Sequence, residues 1–213
     1  MATPSPVTAG FPGLPAYAEL HCRTNFSFQV GASHAEELVA RAHALGYSAL
    51  AITDECSVAG LVRAHMKARE LGLKLLAGAE FAFDGFRLVA LARDLDGWGN
   101  LCEFITAARR NAPKGDYRVP GAEAALHRLG GCELLFVPER RALDAINLIA
   151  IRSILAGLRA IFPLDIWLGA ELLHGPDDEA WLATLQALGA QTGVPLVAAG
   201  DVHMHVRSRK PLQ

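Results

Sequence analysis

The stretch Ala49–Glu80, ALAITDECSVAGLVRAHMKARELGLKLLAGAE, decides the fold. Its first five residues, Ala49–Thr53, are apolar or β-branched and run straight into Asp54 and Glu55, the pattern of a buried strand that delivers carboxylates at its carboxyl end. Ser57–Leu71 follows as a helical segment with Leu61, Met66 and Leu71 as its expected inward face, and Gly72 supplies the stop. Lys74–Gly78 then reads as the next strand, with Glu80 just beyond it. Strand, helix and strand in this order make a βα unit whose two strands lie parallel.

The same alternation extends outward in both directions. Strands are expected at Ala18–His21, Ala49–Thr53, Lys74–Gly78, Phe86–Ala92, Glu133–Val137, Ile166–Glu171 and Pro195–Ala199. Ser33 and Glu36 form an S-x-x-E capping box for a helix carrying Leu38, Ala42 and Leu45 and ended by Gly46. Trp98–Arg109 is a further helix, and Asn111–Pro120 reads as a loop. Leu143–Phe162 is the longest helix expected. It is apolar almost all round, which places it either in the core or against a partner. Asp177 caps a last helix with Leu182, Leu185 and Leu188. Seven strands alternating with helices in a chain of this length suggest an α/β fold closed, or nearly closed, into a barrel, and such barrels carry their chemistry at the carboxyl ends of the strands.

Composition agrees. The chain has 213 residues, 52% of them hydrophobic, enough to bury roughly 70% of its unfolded surface. Lys and Arg number 20 against 22 Asp and Glu, which excludes the broad basic surface of a nucleic-acid-coating protein. Mean hydropathy is high at +0.24, yet no apolar run is long enough to span a bilayer, so no membrane partner is expected. The apolar surplus goes to strands buried on both faces or to a docking face. The four cysteines form no C-x-x-C pair, which argues against a zinc ribbon or disulfide framework and for a reducing, cytoplasmic setting. Residues 1–16 read as a flexible lead-in without a secretory signal, and residues 17–213 as one domain.

At the strand ends stand His21, Asp54, Glu55, Glu80, Asp201, His203 and His205. Imidazoles with carboxylates suit zinc, manganese or iron and the activation of a bound water. Any one of them alone is more simply a loop cap, and only their recurrence over several strand ends favours a site. His34, His43, His65, His127 and His174 fall on helices or loops and take no role.

At these same positions the chain resembles a known family. The runs ELHCRTNFSF (19–28), ALAITDE (49–55), GLKLLAGAEF (72–81), FRLVALARDLDGWGNLCEF (86–104) and LVAAGDVH (196–203) resemble the PHP (polymerase and histidinol phosphatase) domain that opens bacterial DnaE-type DNA polymerases, the DNA polymerase III alpha family. The ending GDVHMHVRSRKPLQ most resembles the error-prone, ImuC-like branch. The resemblance implies a distorted seven-stranded β/α barrel, PHP-type and TIM-barrel-like. It also implies a place in a longer translesion polymerase of DNA damage repair, with magnesium serving the full-length enzyme. Partners implied are the palm and thumb domains of that polymerase, DNA through the full-length enzyme, accessory mutagenesis proteins and the sliding clamp.

The family's metal-binding members hold up to three ions, and this chain departs from their ligand pattern. His21 keeps the first position, but Arg23 stands where a second histidine belongs and Val30 where an aspartate does. Glu55 replaces a histidine after Thr53 and Asp54, Arg87 replaces a histidine, and Pro138 falls at a Cys or His position. His21, Glu80, Asp201 and His203 remain as residual metal ligands, with Asp54 adjacent. A guanidinium cannot ligate a metal, so Arg23 and Arg87 are expected to neutralise Asp54, Glu55, Glu80 or Asp201 in place of the ions. No catalytic residue and no firm cofactor are expected. The alternative is one residual zinc or manganese ion supporting phosphoesterase, 3'-5' exonuclease or pyrophosphatase activity.

Overall fold

The computed structural model describes residues 16–119, 126–140 and 145–213. Two residues, Asp84 and Gly85, separate Phe83 from Phe86, and a connection that short can only reverse the chain. Gly85 takes the left-handed φ of 80° that the turn requires. Strand β3 (Lys74–Phe83) therefore runs on past Gly78 and pairs antiparallel with β4 (Phe86–Ala92), which pairs antiparallel with β5 (Cys132–Pro138). The expectation of a parallel sheet is corrected here: β1 (Ala18–Glu19), β2 (Ala49–Ile52) and β3 are parallel, as are β5, β6 (Ile166–Glu171) and β7 (Leu196–Ala199), with the antiparallel β4 set between them.

The seven strands lie in sequence order from β1 to β7. Closure is completed by one isolated parallel bridge, Cys22 to Val202. Inside the nearly closed barrel, Ala51, Val89, Leu91, Leu135, Val137 and Ala199 pack with Leu20, Leu76 and Val197. The alternation of strand side chains turns the other set outward, where it meets the helices. Helices α1 (Ala35–Ala44) and α2 (Leu61–Leu71) cover the β1–β2 side. Helices α3 (Leu95–Arg110), α4 (Ala145–Ile161) and α5 (Asp178–Thr192) cover the rest, over a core holding Phe81 against Phe104 and Phe86 against Phe136.

Several local expectations shift. The capping box sits one residue later, where the Glu37 carboxylate accepts the His34 backbone N–H at 2.9 Å. Ser33 is instead engaged by His205. Helix α2 buries Leu61, Ala64 and Ala68, so Met66 faces solvent. Asp177 bonds Arg140 rather than capping α5. The long apolar helix divides its faces: Ile151, Leu155 and Leu158 are buried, whereas Ile149 and Ile154 are exposed. Its expected start at Leu143 lies outside the described residues, as do residues 1–15 of the lead-in and Pro120 of the loop. Among the described residues no helix is long and apolar enough to cross a membrane.

The close approach of α3 to the start of β5 gives a packing test. A Cβ on Gly97 would fall 2.0 Å from the Gly131 carbonyl oxygen, and both partners are backbone. Gly97→Ala is expected to cost about 1–3 kcal/mol through enforced overpacking, read as a lower urea midpoint with an unchanged m-value.

Candidate functional site

His21, Arg23, Glu171, Asp201 and His203 stand at the carboxyl end of a strand or just past it, whereas Glu80 lies within β3 and Arg87 near the start of the antiparallel β4. His21 and Arg23 follow β1 and, two residues apart in extended chain, point the same way. His21 is fully buried. Its Nε2 lies 2.6 Å from Glu80 Oε2, its Nδ1 2.5 Å from Glu171 Oε1 and 3.8 Å from Asp201 Oδ1. Arg23, also buried, donates from Nη1 to Glu80 Oε1 at 2.8 Å and from Nη2 to Asp201, with His203 Nε2 2.7 Å from the same nitrogen. His203 Nε2 is 2.9 Å from Asp201 Oδ1. Arg87, partly exposed on β4, adds longer ion pairs of 3.9 Å to Glu80 and 4.0 Å to Asp201.

The expected residues His21, Glu80, Asp201 and His203 are thus brought together, with Arg23 among them and Arg87 at the rim. Asp54 and Glu55 are not. The Asp54 carboxylate turns to the loop after β1, accepting Thr24 N–H at 2.7 Å and the Thr24 and Ser27 hydroxyls at 2.8 Å each. Glu55 accepts the Tyr117 hydroxyl at 2.8 Å. The idea that an arginine neutralises either one is corrected accordingly: both already have neutral donors of their own. Val30 lies in the turn after Ser27, bonding its carbonyl through the backbone. Pro138 ends β5 and lines a cleft of about 400 Å³ with Arg87, Arg140, Glu171, Trp181 and Asp201.

Glu171 is the member that sequence reasoning missed. It is the last residue of β6, and the strand-end rule that picked out Glu80 would have found it. Glu19 is a second. Buried in β1, it accepts the backbone N–H groups of His21 and Gly200 at 2.9 Å and the Tyr17 hydroxyl at 2.9 Å.

The charges balance within the cluster. Burial alone would lower the His21 pKa, but the hydrogen bonds and charges of Glu171 and Glu80 outweigh it and push it up to about 10. It is therefore an imidazolium at neutral pH. His21, Arg23 and Arg87 then face Glu80, Glu171 and Asp201, three cations against three anions. Burial works to raise both Glu80 and Asp201, yet His21 and Arg23, together with His203 at Asp201, hold both carboxyls below the usual range. Burial raises Glu19 and Asp54 above theirs.

These shifts set the pH dependence of stability. The raised His21 contributes fully below its unfolded value near 6.5, and that contribution is lost as pH climbs towards about 10. Glu80 and Asp201 contribute above their unfolded values and lose it on acidification, which the opposite shifts of Glu19 and Asp54 partly offset. Stability is expected to peak at mildly acidic pH and to fall on the alkaline side by up to about 1.4 kcal/mol per pH unit for this one proton. Urea unfolding from pH 5 to 10 measures it, and a flat alkaline limb would contradict a charged His21.

The cluster also tests the fit of a metal. His21, Glu171 and Asp201 each offer a ligand atom, all within 4.8 Å of one another. Two ligands on one tetrahedral ion at ~2.1 Å bonds stand ~3.4 Å apart, so His21 and Glu171 at 2.5 Å are placed as a hydrogen bond and not as a chelate. Arg23 occupies the space between Glu80, Asp201 and His203 with a charge it cannot give up. The residues present do not fit a centre of several ions.

Residues 19–137 match the family model described as PHP domain. The error-prone DNA polymerase of Methylococcus capsulatus is 50% identical over 198 residues, covering 92% of this chain and 18% of its own. That of Ralstonia nicotianae is 48% identical over 224 residues, covering 99% and 20%, and that of Pseudomonas aeruginosa 50% over 199 residues, covering 93% and 18%. The chain spans about a fifth of the length of these relatives. Among solved structures, an amidohydrolase from Chromobacterium violaceum with bound sulfate and no metal superposes with a TM-score of 0.67 at 16% identity, over 89% of this chain and 88% of that one. A two-domain protein from Bacteroides vulgatus containing a predicted PHP-like metal-dependent phosphoesterase superposes at 0.57 and 12% identity, over 91% and 54%. At such identities they speak for the barrel and not for its chemistry.

Proposed function

This chain belongs to the PHP domain family, and from that premise we propose that it is the PHP region of an error-prone, translesion DNA polymerase, serving there as a structural module without hydrolytic activity of its own. The observation that carries the polymerase assignment is identity near 50% across more than nine-tenths of the chain to proteins of that name. The structural role rests on Arg23, whose guanidinium joins Glu80 to Asp201 at the heart of the site. A divalent ion there would have to displace a permanent cation, and a water could be activated only by a group not already committed to an ion pair.

On this reading the palm and thumb domains of the same cytoplasmic polymerase are the immediate partners, and the exposed Ile149 and Ile154 of α4 suit such a contact. DNA, accessory mutagenesis proteins and the sliding clamp are met through the whole enzyme, where magnesium serves polymerisation. Metal-dependent phosphoesterase, exonuclease or pyrophosphatase activity is the second reading, favoured by the convergence of His21, Glu171 and Asp201.

The two separate in one experiment. Purified chain dialysed against zinc or manganese and then against buffer is expected to retain far less than one ion per molecule and to leave p-nitrophenyl phosphate, pyrophosphate and single-stranded DNA intact. One tightly held ion per chain, together with hydrolysis that His203→Ala abolishes, would overturn the structural reading.

A further inference from the structure

The barrel is weakest in backbone pairing where its first and last strands meet. Strand β1 has two residues and among the described residues pairs only with β2, and the backbone pairing of its junction with the β7 side is there the single Cys22–Val202 bridge. Two backbone hydrogen bonds cross there, Val202 N–H to the His21 carbonyl and Arg23 N–H to the Val202 carbonyl, each 2.9 Å. Leu20 packs there with Val197 and Ala199, and Val202 against the cluster of Cys22; further connections come from polar side chains. Glu19 accepts the Gly200 N–H, Arg23 reaches Asp201 and His203, and His21 lies 3.8 Å from Asp201. Asp201 itself takes a left-handed φ of 46°, a conformation that costs a non-glycine residue and persists only where its surroundings hold it.

Beyond this seam the chain runs over α1. The His203 carbonyl accepts the Ala32 N–H at 2.8 Å, His205 N–H donates to the Ser33 hydroxyl at 3.0 Å, and Arg209 pairs with Glu37. Gln213 folds back to His203 at 2.8 Å. His203 therefore belongs to both networks, touching Arg23 with one ring nitrogen and the tail with the other.

We propose that the Arg23 cluster is the brace that closes the barrel between β1 and β7, and that through His203 it holds residues 201–213 against α1, so that the barrel opens first at this seam and releases that tail. Local opening follows the least-paired backbone, and β4 and β5, each paired on both sides, lie far from it in the sheet. The brace rests on the ion-paired reading of the site, because an ion-filled site would hold the same strands by other bonds.

Native-state amide exchange on the 213-residue chain tests it. In the wild type the amides of Arg23, Ala32, Val202 and His205 are expected to exchange through openings that leave Leu88, Val89 and Phe136 protected. In Arg23→Met the first group should exchange about tenfold or more faster, with a smaller change in the second. Equal protection of both groups in the wild type, or a uniform rise in the variant, overturns the brace, and the wild-type comparison decides alone if the variant does not fold. Metal analysis of the same samples keeps the two ideas apart. One zinc or manganese per chain removes the ion-paired premise, whereas a metal-free chain with uniform exchange removes the brace and leaves that premise standing.

Discussion

Replacing Arg23 with methionine is expected to destabilise the chain by about 3–5 kcal/mol, the cost of breaking a buried ion pair from one side. Methionine keeps much of the volume, so the loss is electrostatic. Glu80 is only 1% exposed, and without the guanidinium it shares with Asp201 the two carboxylates are left to His21, the more distant Arg87 and, at Asp201, His203. Their pKa values must then rise by mutual repulsion and burial. Two further variants identify the cause. Arg23→Met with Glu80→Gln is expected to be less destabilised than Arg23→Met alone, because the uncompensated charge leaves with its partner. Arg23→Lys restores a charge but not the fork that spans Glu80 and Asp201, and should recover only part of the loss. Urea denaturation at pH 6 measures all three. A double variant as unstable as the sum of its parts would show that Arg23 acts by packing and not by charge.

How far the sequence reveals this site depends on the range of each signal. Strands β4 and β6 have the bounds read from their apolar runs, since alternation and flanking residues are local. The hairpin was also locally written, in Asp84–Gly85 between two phenylalanines, but ending β3 at Gly78 hid the two-residue connection and with it the antiparallel β4. Met66 lies outside the buried face of α2 because that face runs from Leu61, as expected, to Ala64 and Ala68, small residues that a search for large apolar ones passes over. In the site, Arg23 was legible through the resemblance, because it stands where the family's ligand pattern has a histidine and because arginine cannot ligate a metal. Its partners were legible as strand ends. Glu171 was overlooked only because the rule was not carried to β6, while Glu19, inside the strand expected at Ala18–His21, gives no local sign that it caps the backbone of Gly200, 181 positions away. The division of labour among the carboxylates was out of reach altogether. Glu80 and Asp54 both read as acids following strands, and only the fold decides that one meets a guanidinium and the other two hydroxyls and an amide.

Asp54 carries the second large effect, and it separates a scaffold residue from a metal ligand. Its carboxylate is fully buried and collects Thr24 N–H, Thr24 Oγ1 and Ser27 Oγ. The turn it organises continues through Ser27 N–H to the Thr24 carbonyl and Gly31 N–H to the Ser27 carbonyl. No side chain fits at Gly31, where a Cβ would stand 1.9 Å from the Thr24 carbonyl oxygen. Asp54→Ala removes the carboxylate that three donors share. At roughly 1–3 kcal/mol for each buried group left unsatisfied, a total of about 3 kcal/mol or more is expected, because the hydroxyls can turn elsewhere but the Thr24 N–H cannot. Asp54→Asn keeps an oxygen for that N–H, and its amide can donate to the Thr24 hydroxyl, so its cost should be near 1 kcal/mol. The burial that raises the Asp54 pKa works in the same direction, since the amide has no charge to desolvate. A metal ligand would rank these variants differently. Asparagine would then lose the ion almost as fully as alanine does, and stability would respond to added zinc or manganese in the wild type alone. A small cost for Asp54→Asn, with no response to either ion in any of the three proteins, identifies Asp54 as the keystone of the loop after β1, whereas equal losses in both variants would return it to the metal.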